Sequence, residues 1–154
     1  MARSEFAFHH RFRVRWSETD AQGVVFNARY LDYADVAVTE YWRAAKFRDY
    51  ADGAPLEFHV KKATVTWFAP IKPDELIDVM ARTVATGRTS MTQVVEIHGI
   101  TDDGSDDLRA TVDLVSVHVD LDTHRPIPLP HWVKDVFLNF DQQAANPAAV
   151  MADA

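Results

Sequence analysis

The stretch Asn27–Phe47, NARYLDYADVAVTEYWRAAKF, carries the strongest periodic signal in the chain. Small and aromatic residues return every three or four positions, as they do on one face of a helix: Tyr30, Tyr33, Ala34, Ala37, Tyr41, Ala44 and Ala45. Because many of them are alanine, another layer must pack closely against this face. At a rise of about 1.5 Å per residue, the helix would be roughly 30 Å long. We therefore predict one long helix, with an exit loop over 49–55.

Segments typical of β-strands flank this helix on both sides. One precedes it, and four follow it, separated by turn-forming residues: Phe8–Trp16, then Phe58–Phe68, Leu76–Ala85, Ser90–Ile100 and Leu108–Leu121. A short helix is predicted after Pro130. Strands joined by short turns pair antiparallel. The sequence therefore predicts an α+β fold, in which one antiparallel β-sheet is wrapped around one long central helix.

The bulk composition narrows the class of protein. A chain of 154 residues is expected to form one domain, which we place at 5–141, with a disordered alanine-rich tail at 142–154. The net charge of −7 disfavours nucleic-acid binding. No apolar run reaches the length of a signal peptide or a membrane span, so we expect a cytoplasmic protein without a membrane partner.

Several kinds of catalytic site find no support in the sequence. The chain has no cysteine, which excludes a thiol nucleophile, and its five glycines form neither a dinucleotide fingerprint nor a P-loop. The histidines at 9–10 and at 118 and 124 are possible metal ligands, but none of the seven forms a helical pair. We expect no metal and no cofactor. A Ser-His-Asp triad stays open, although nothing marks a particular serine for it.

Two carboxylates lie in the break before the long helix, Glu18 and Asp20. Taken alone, Asp20 could be a turn former and Glu18 a solvated charge. Gly23 follows closely, however, as it would where the backbone passes near a ligand. The helix that begins near Asn27 also points free N–H groups and its positive dipole end into this region. A carboxylate beside such donors is half of an acyl-transfer site.

The segment Arg15–Leu31, RWSETDAQGVVFNARYL, closely resembles the signature of the 4-hydroxybenzoyl-CoA thioesterase-like hot-dog family. The match consists of the aspartate, the glycine three residues later, two aliphatic residues and a tyrosine in the first helical turns. The resemblance extends to 60–70, 87–90 and 125–128 and covers about 8–140. It implies a hot-dog fold and hydrolysis of an acyl- or aroyl-CoA thioester to free acid and coenzyme A (CoA).

The resemblance also assigns roles to residues. It implies that Asp20 is the catalytic carboxylate and that the backbone N–H of Asn27 polarises the thioester carbonyl, with Gly23 shaping the turn. The other positions that it assigns to substrate binding are Tyr30 at the acyl pocket, Val25 and Phe26 beside it in the motif, Arg88, Thr89 and Ser90 at the CoA arm, and Lys72 or Arg125 at its phosphates. CoA enters as part of the substrate, threaded between two subunits of a homodimer or homotetramer.

Two alternatives stay open beside the thioesterase. A hot-dog domain can be a hydratase or dehydratase acting on acyl thioesters, which usually requires a histidine near the carboxylate, or a non-catalytic acyl-CoA-binding protein. Many relatives have a histidine where this chain has Asn27, which counts against a histidine-assisted mechanism. Asp20 can act as nucleophile or as general base. Tyr33, Trp42, Phe47 and Trp67 are candidates for either the acyl pocket or the core.

Overall fold

The computed structural model describes residues 1–145 and contains five strands and three α-helices in that range. In chain order they are β1 (Phe8–Arg13), α1 (Arg29–Ala44), α2 (Phe47–Ala51), β2 (Glu57–Trp67), β3 (Leu76–Thr86), β4 (Ser90–Gly99), β5 (Leu108–Val119) and α3 (His131–Asp141). Short 3₁₀ turns cover Arg3–Glu5, Trp16–Glu18 and Gln142–Ala145. Of the expected tail, 142–145 form the last of these turns, and 146–154 lie outside the described residues. No helix in the described range is long and apolar enough to cross a membrane.

The five strands form one antiparallel sheet in the order β1-β3-β4-β5-β2. The antiparallel sheet predicted from the sequence is thus confirmed. Strands β3, β4 and β5 follow one another as a meander, whereas β1 and β2 form the two edges. The first strand ends at Arg13 rather than at Trp16, because Trp16–Glu18 already turns away from the sheet.

Helix α1 packs across β1, β3, β4 and β5. Its buried residues are those that the spacing predicted: Tyr30, Tyr33, Ala34, Ala37 and Tyr41. The helix is shorter than predicted, because it begins at Arg29 and ends at Ala44. Lys46 adopts a left-handed conformation with φ of 57°, which interrupts the helix before Phe47. Ala44, expected on the buried face, is exposed, while Ala45 is buried.

The helical layer has a second member in α3, which packs against β3 and α2. Val133, Val136 and Phe137 belong to the same apolar core as the buried face of α1. The ring centroids of Tyr41 and Phe137 lie 5.2 Å apart. The expectation of a single helix inside the sheet was therefore too simple, because the core under β3 is filled from two helices.

Candidate active site

Asp20 lies in a tight turn between the 3₁₀ turn at 16–18 and helix α1. Its main chain closes the turn at both ends, since the Asp20 N–H donates to the Val24 carbonyl (2.9 Å) and the Gly23 N–H donates to the Asp20 carbonyl (3.0 Å). The Asp20 Oδ1 accepts a hydrogen bond from the Gln22 N–H at 2.8 Å. The half-buried carboxylate is thereby oriented, while its Oδ2 accepts no hydrogen bond from the described residues.

Gly23 is required by the shape of this turn. Its φ of +75° lies in the left-handed region, which side chains other than glycine rarely adopt. A β-carbon at this position would meet no other described atom within 4 Å. The backbone conformation therefore accounts for the glycine, whether or not a ligand approaches.

The turn is anchored to the body of the protein through Val25. The Val25 N–H donates to the Ile71 carbonyl at 2.8 Å, and both side chains are buried. The next residue, Phe26, donates its N–H to the Glu18 carbonyl at 3.0 Å. Because its side chain is half exposed, Phe26 lies on the surface beside the turn.

Glu18 is buried and holds the start of this turn. Its Oε1 accepts hydrogen bonds from the Arg15 N–H (2.7 Å) and from the Tyr33 hydroxyl (3.1 Å). Burial and the adjacent Glu18 carboxylate raise the pKa of Tyr33, so its hydroxyl stays a neutral donor at pH 7. The alternative that Glu18 is a solvated charge is therefore wrong. Its three-residue spacing from Arg15, typical of a capped 3₁₀ turn, is the only sequence signal for this role.

Asn27 and Ala28 form a turn that leads into α1. Asn27 thus precedes the helix, which begins at Arg29, instead of opening it. Within residues 1–145, neither the Asn27 nor the Ala28 N–H donates a hydrogen bond, so both are free to donate to a ligand oxygen. Tyr30, in the first turn of α1, is buried, and burial raises the pKa of its hydroxyl, as does the nearby Asp20 charge to a smaller degree. Asp20, the two N–H groups and Tyr30 therefore all lie in the segment 20–30, where the Asp20 charge acts on the Tyr30 hydroxyl.

Arg88, Thr89 and Ser90 lie far from this turn within one chain. They follow the end of β3, whereas the Asp20 turn is attached at the start of β3, where Val14 pairs with Glu75. The 11 residues of β3 span roughly 34 Å at about 3.4 Å per residue. Thr89 and Ser90 line a cavity of about 320 Å³, with further walls from His59, Lys61, His124 and Pro126 among others.

A larger groove, of about 540 Å³, runs between the second half of α1 and strand β2. Trp42, Phe47, Phe58 and Val60 contribute to its lining. Of the four aromatic candidates for an acyl pocket, Trp42 and Phe47 line this groove, Tyr33 is core, and Trp67 is half exposed near Tyr30. The residues described include no cluster of three or more side chains suited to hold a metal ion.

Comparison with known proteins shows the family of the chain. The Thioesterase-like superfamily matches residues 14–137. The acyl-CoA thioesterase YbgC of Haemophilus influenzae is 32% identical over 135 residues, which are 81% of this chain and 90% of that protein. The acyl-CoA thioester hydrolase YbgC of Escherichia coli O6:H1 is 34% identical over 80 residues, which are 51% of this chain and only 60% of that protein.

Solved structures show the same fold. The 4-hydroxybenzoyl-CoA thioesterase, a mutant complexed with 4-hydroxybenzoyl-CoA, superposes with a TM-score of 0.74 at 15% identity, covering 84% of this chain and 97% of that chain. The sheet, the helices on it and the family match together define a hot-dog protein. The chain belongs to the thioesterase-like superfamily.

Proposed function

We propose that the protein hydrolyses an acyl- or aroyl-CoA thioester and that Asp20 carries the reaction. The observation that carries this proposal is the pairing of an oriented carboxylate with unpaired N–H groups at a helix start. Asp20 Oδ1 is held by the Gln22 N–H, so Oδ2 is presented in one direction. The Asn27 and Ala28 N–H groups lie a few residues further along the same short segment. The thioesterase activities named for the YbgC relatives support this proposal.

In this mechanism the thioester carbonyl oxygen accepts hydrogen bonds from the N–H groups of Asn27 and Ala28. These donors and the positive end of the α1 dipole stabilise the negative charge that develops on that oxygen. One such donor is typically worth about 2.7–4 kcal/mol of transition-state stabilisation. Tyr30, Val25 and Phe26 are neighbours of these N–H groups along the chain, and we expect them to contribute to substrate binding.

Asp20 then acts in one of two ways. As a nucleophile, Oδ2 attacks the carbonyl carbon, the C–S bond breaks, CoA leaves as the thiolate, and water hydrolyses the resulting mixed anhydride. As a general base, Oδ2 takes a proton from water, the hydroxide attacks the carbonyl carbon, and the proton passes to the departing thiolate. The products are the free acid and CoA in both cases.

We propose further that the site is completed by a second copy of the chain. Strand β2 forms an edge of 11 residues and exposes Val60 (60%) and Trp67 (48%). A long edge with exposed apolar side chains favours pairing with another strand. The other edge, β1, is shorter, with 6 residues.

Antiparallel β2–β2 pairing about a two-fold axis would bring opposite ends of the two sheets together. Ser90 and His59 both pair with Val117, so the Ser90 cavity lies at the Glu57 end of β2. The Asp20 turn lies at the other end. In such a dimer, the Arg88–Ser90 segment of one copy would face the Asp20 site of its partner, where it could contact the CoA arm. A homotetramer would form from two such dimers.

The hydratase alternative finds less support. It needs a histidine near the carboxylate, and within residues 1–145 no histidine ring hydrogen bonds to the Asp20 turn. The binding-protein alternative predicts capture of acyl-CoA without release of thiol. The two alternatives therefore differ from the thioesterase in their products.

The experiment that tests the proposal measures free-thiol release from short-chain, medium-chain, long-chain and aryl CoA thioesters, with binding followed in parallel. We expect release from at least one of them, and the preferred one identifies the acyl group. Running the same acyl groups on acyl carrier protein shows which carrier is used. Binding without thiol release, or hydration of an enoyl-CoA, would overturn the proposal in favour of one of the alternatives.

A further inference from the structure

The Asp20 turn is hydrogen-bonded to the loop 68–75, which joins β2 to β3. The Ile71 carbonyl of this loop accepts the Val25 N–H at 2.8 Å. The same loop holds the end of β1, because the Val14 N–H donates to the Glu75 carbonyl at 2.9 Å. Any displacement of the loop would therefore move the turn that carries Asp20.

Arg109, on β5, holds this loop in place through both its main chain and its side chain. The Arg109 carbonyl accepts the N–H groups of Phe68 (2.8 Å) and Ala69 (3.2 Å). Its guanidinium Nη1 donates to the Pro70 carbonyl at 2.8 Å, one residue before Ile71. Arg109 thus holds three consecutive residues, Phe68, Ala69 and Pro70, and the next residue, Ile71, is the one that is bonded to Val25.

The guanidinium of Arg109 is itself fixed by two carboxylates. Its Nη2 donates to Glu75 at 2.7 Å and to Asp107 at 2.8 Å. Glu75 closes the loop by accepting the Lys72 N–H at 2.9 Å. The Arg109 side chain is only 15% exposed, and its hydrogen bonds and charge lower the pKa of Asp107. The charges of Arg109 and Glu75 also act on the pKa of the Tyr30 hydroxyl, so this cluster borders the site.

We propose that Arg109 is a positioning residue for the hydrolysis, a role that rests on the proposed function. It acts through Ile71 and Val25, and it sets how far the Asp20 carboxylate lies from the N–H groups at the start of α1. Lysine cannot replace it. The guanidinium presents its N–H groups in a fixed fork that reaches Pro70, Glu75 and Asp107 together, whereas a single ammonium cannot reach all three. A misplacement of about 1 Å at a reacting group can cost ~10²-fold in rate.

Gly99 offers a way to move Arg109 without removing any polar group. An added β-carbon there would fall closer than contact distance to the Asp107 carboxylate and to Arg109 Nη2. Both are ends of side chains and can shift. Gly99 does not have a positive φ, so alanine is compatible with its backbone. Gly99→Ala therefore displaces the ion pair while Arg109, Asp107 and Glu75 are all retained.

The test compares Arg109→Lys and Gly99→Ala with wild type, and uses Arg82→Lys as the matched control. Arg82 is another partly buried arginine, whose Nη1 donates to the Glu5 carbonyl, away from the loop. For each variant, kcat and KM for thiol release are measured, together with amide hydrogen exchange at Val25. We expect kcat to fall at least about tenfold with little change in KM, and Val25 to exchange about tenfold faster. The control should behave as wild type.

Wild-type exchange at Val25 in Gly99→Ala, or unchanged kcat despite faster exchange, would overturn the inference. Gly99→Ala decides the question if Arg109→Lys does not fold. Failure of the proposed function is distinguishable, because it appears as a wild-type protein that releases no thiol. The amide exchange at Val25 still tests the link from Arg109 to the turn in that case.

Discussion

The hydrogen bond between Tyr33 and Glu18 gives a quantitative test of how the Asp20 turn is held. The Tyr33 hydroxyl donates to Glu18 Oε1 at 3.1 Å, and both residues are buried. A hydrogen bond to a charged group contributes about 1.5–3 kcal/mol net, and a buried polar group left without a partner costs about 1–3 kcal/mol. Glu18→Ala leaves the buried Tyr33 hydroxyl without its acceptor, and the Arg15 N–H also loses its acceptor. We therefore expect it to lower the free energy of unfolding by about 2–4 kcal/mol.

Tyr33→Phe removes only the donor, because Glu18 keeps its hydrogen bond from the Arg15 N–H. We expect this variant to lose about 1–2 kcal/mol. The double variant should lose less than the sum of the two single losses, with a coupling energy of about 1–2 kcal/mol. Urea unfolding at pH 7 measures all four proteins, and Tyr50→Phe, at an exposed tyrosine, serves as the control.

Additive losses, with coupling below about 0.5 kcal/mol, would refute this reasoning. They would mean that the hydroxyl and the carboxylate are each satisfied by water, so that Glu18 does not tie the turn to α1. A large loss in the Tyr50→Phe control would show instead that removal of any tyrosine hydroxyl destabilises the protein.

Three further predictions concern other parts of the molecule. Burial raises the pKa of Asp141, which accepts hydrogen bonds from Tyr41. A raised carboxyl pKa favours the protonated form in the folded state. Measured relative to Asp141→Asn, the wild-type free energy of unfolding should thus be largest below about pH 4 and fall as the pH rises through the raised pKa; a pH-independent difference would contradict this. Val60→Asp, at an exposed position of the β2 edge, should shift sedimentation toward the monomer; an unchanged oligomer would exclude pairing through β2. Ser90→Ala should raise KM for acyl-CoA several-fold and leave kcat nearly unchanged; an unchanged KM would remove Ser90 from the CoA site.

The buried face of α1 was predictable because it is a local property. The three- and four-residue spacing from Tyr30 to Tyr41 fixes which side of the helix meets the sheet. The strands were predicted correctly for the same reason. Their ends in the structure differ from the predicted ends by one to three residues. The end of α1 was missed, since Lys46 is an ordinary residue whose left-handed conformation depends on packing around it.

The parts of the site that the sequence does not disclose depend on contacts between distant residues. Glu18 is a charged residue in a turn, and only the fold places the Tyr33 hydroxyl over it. Likewise, nothing near Arg109 in sequence marks it as the support for Ile71, 38 positions away, through the Pro70 carbonyl. The register of the sheet also separates Ser90 from Asp20 within one chain, which a linear motif does not show.

The central claim is that the Asp20 carboxylate drives thioester hydrolysis. The most direct test compares thiol release by wild type, Asp20→Asn and Asp32→Asn on the preferred acyl-CoA. Asp32 is a matched control, because it is an exposed carboxylate in the first turn of α1 that pairs with Arg29. We expect Asp20→Asn to keep its binding of acyl-CoA and to lose at least about 10²-fold in kcat, while Asp32→Asn turns over like wild type. Near-normal turnover by Asp20→Asn would contradict the role assigned to Asp20.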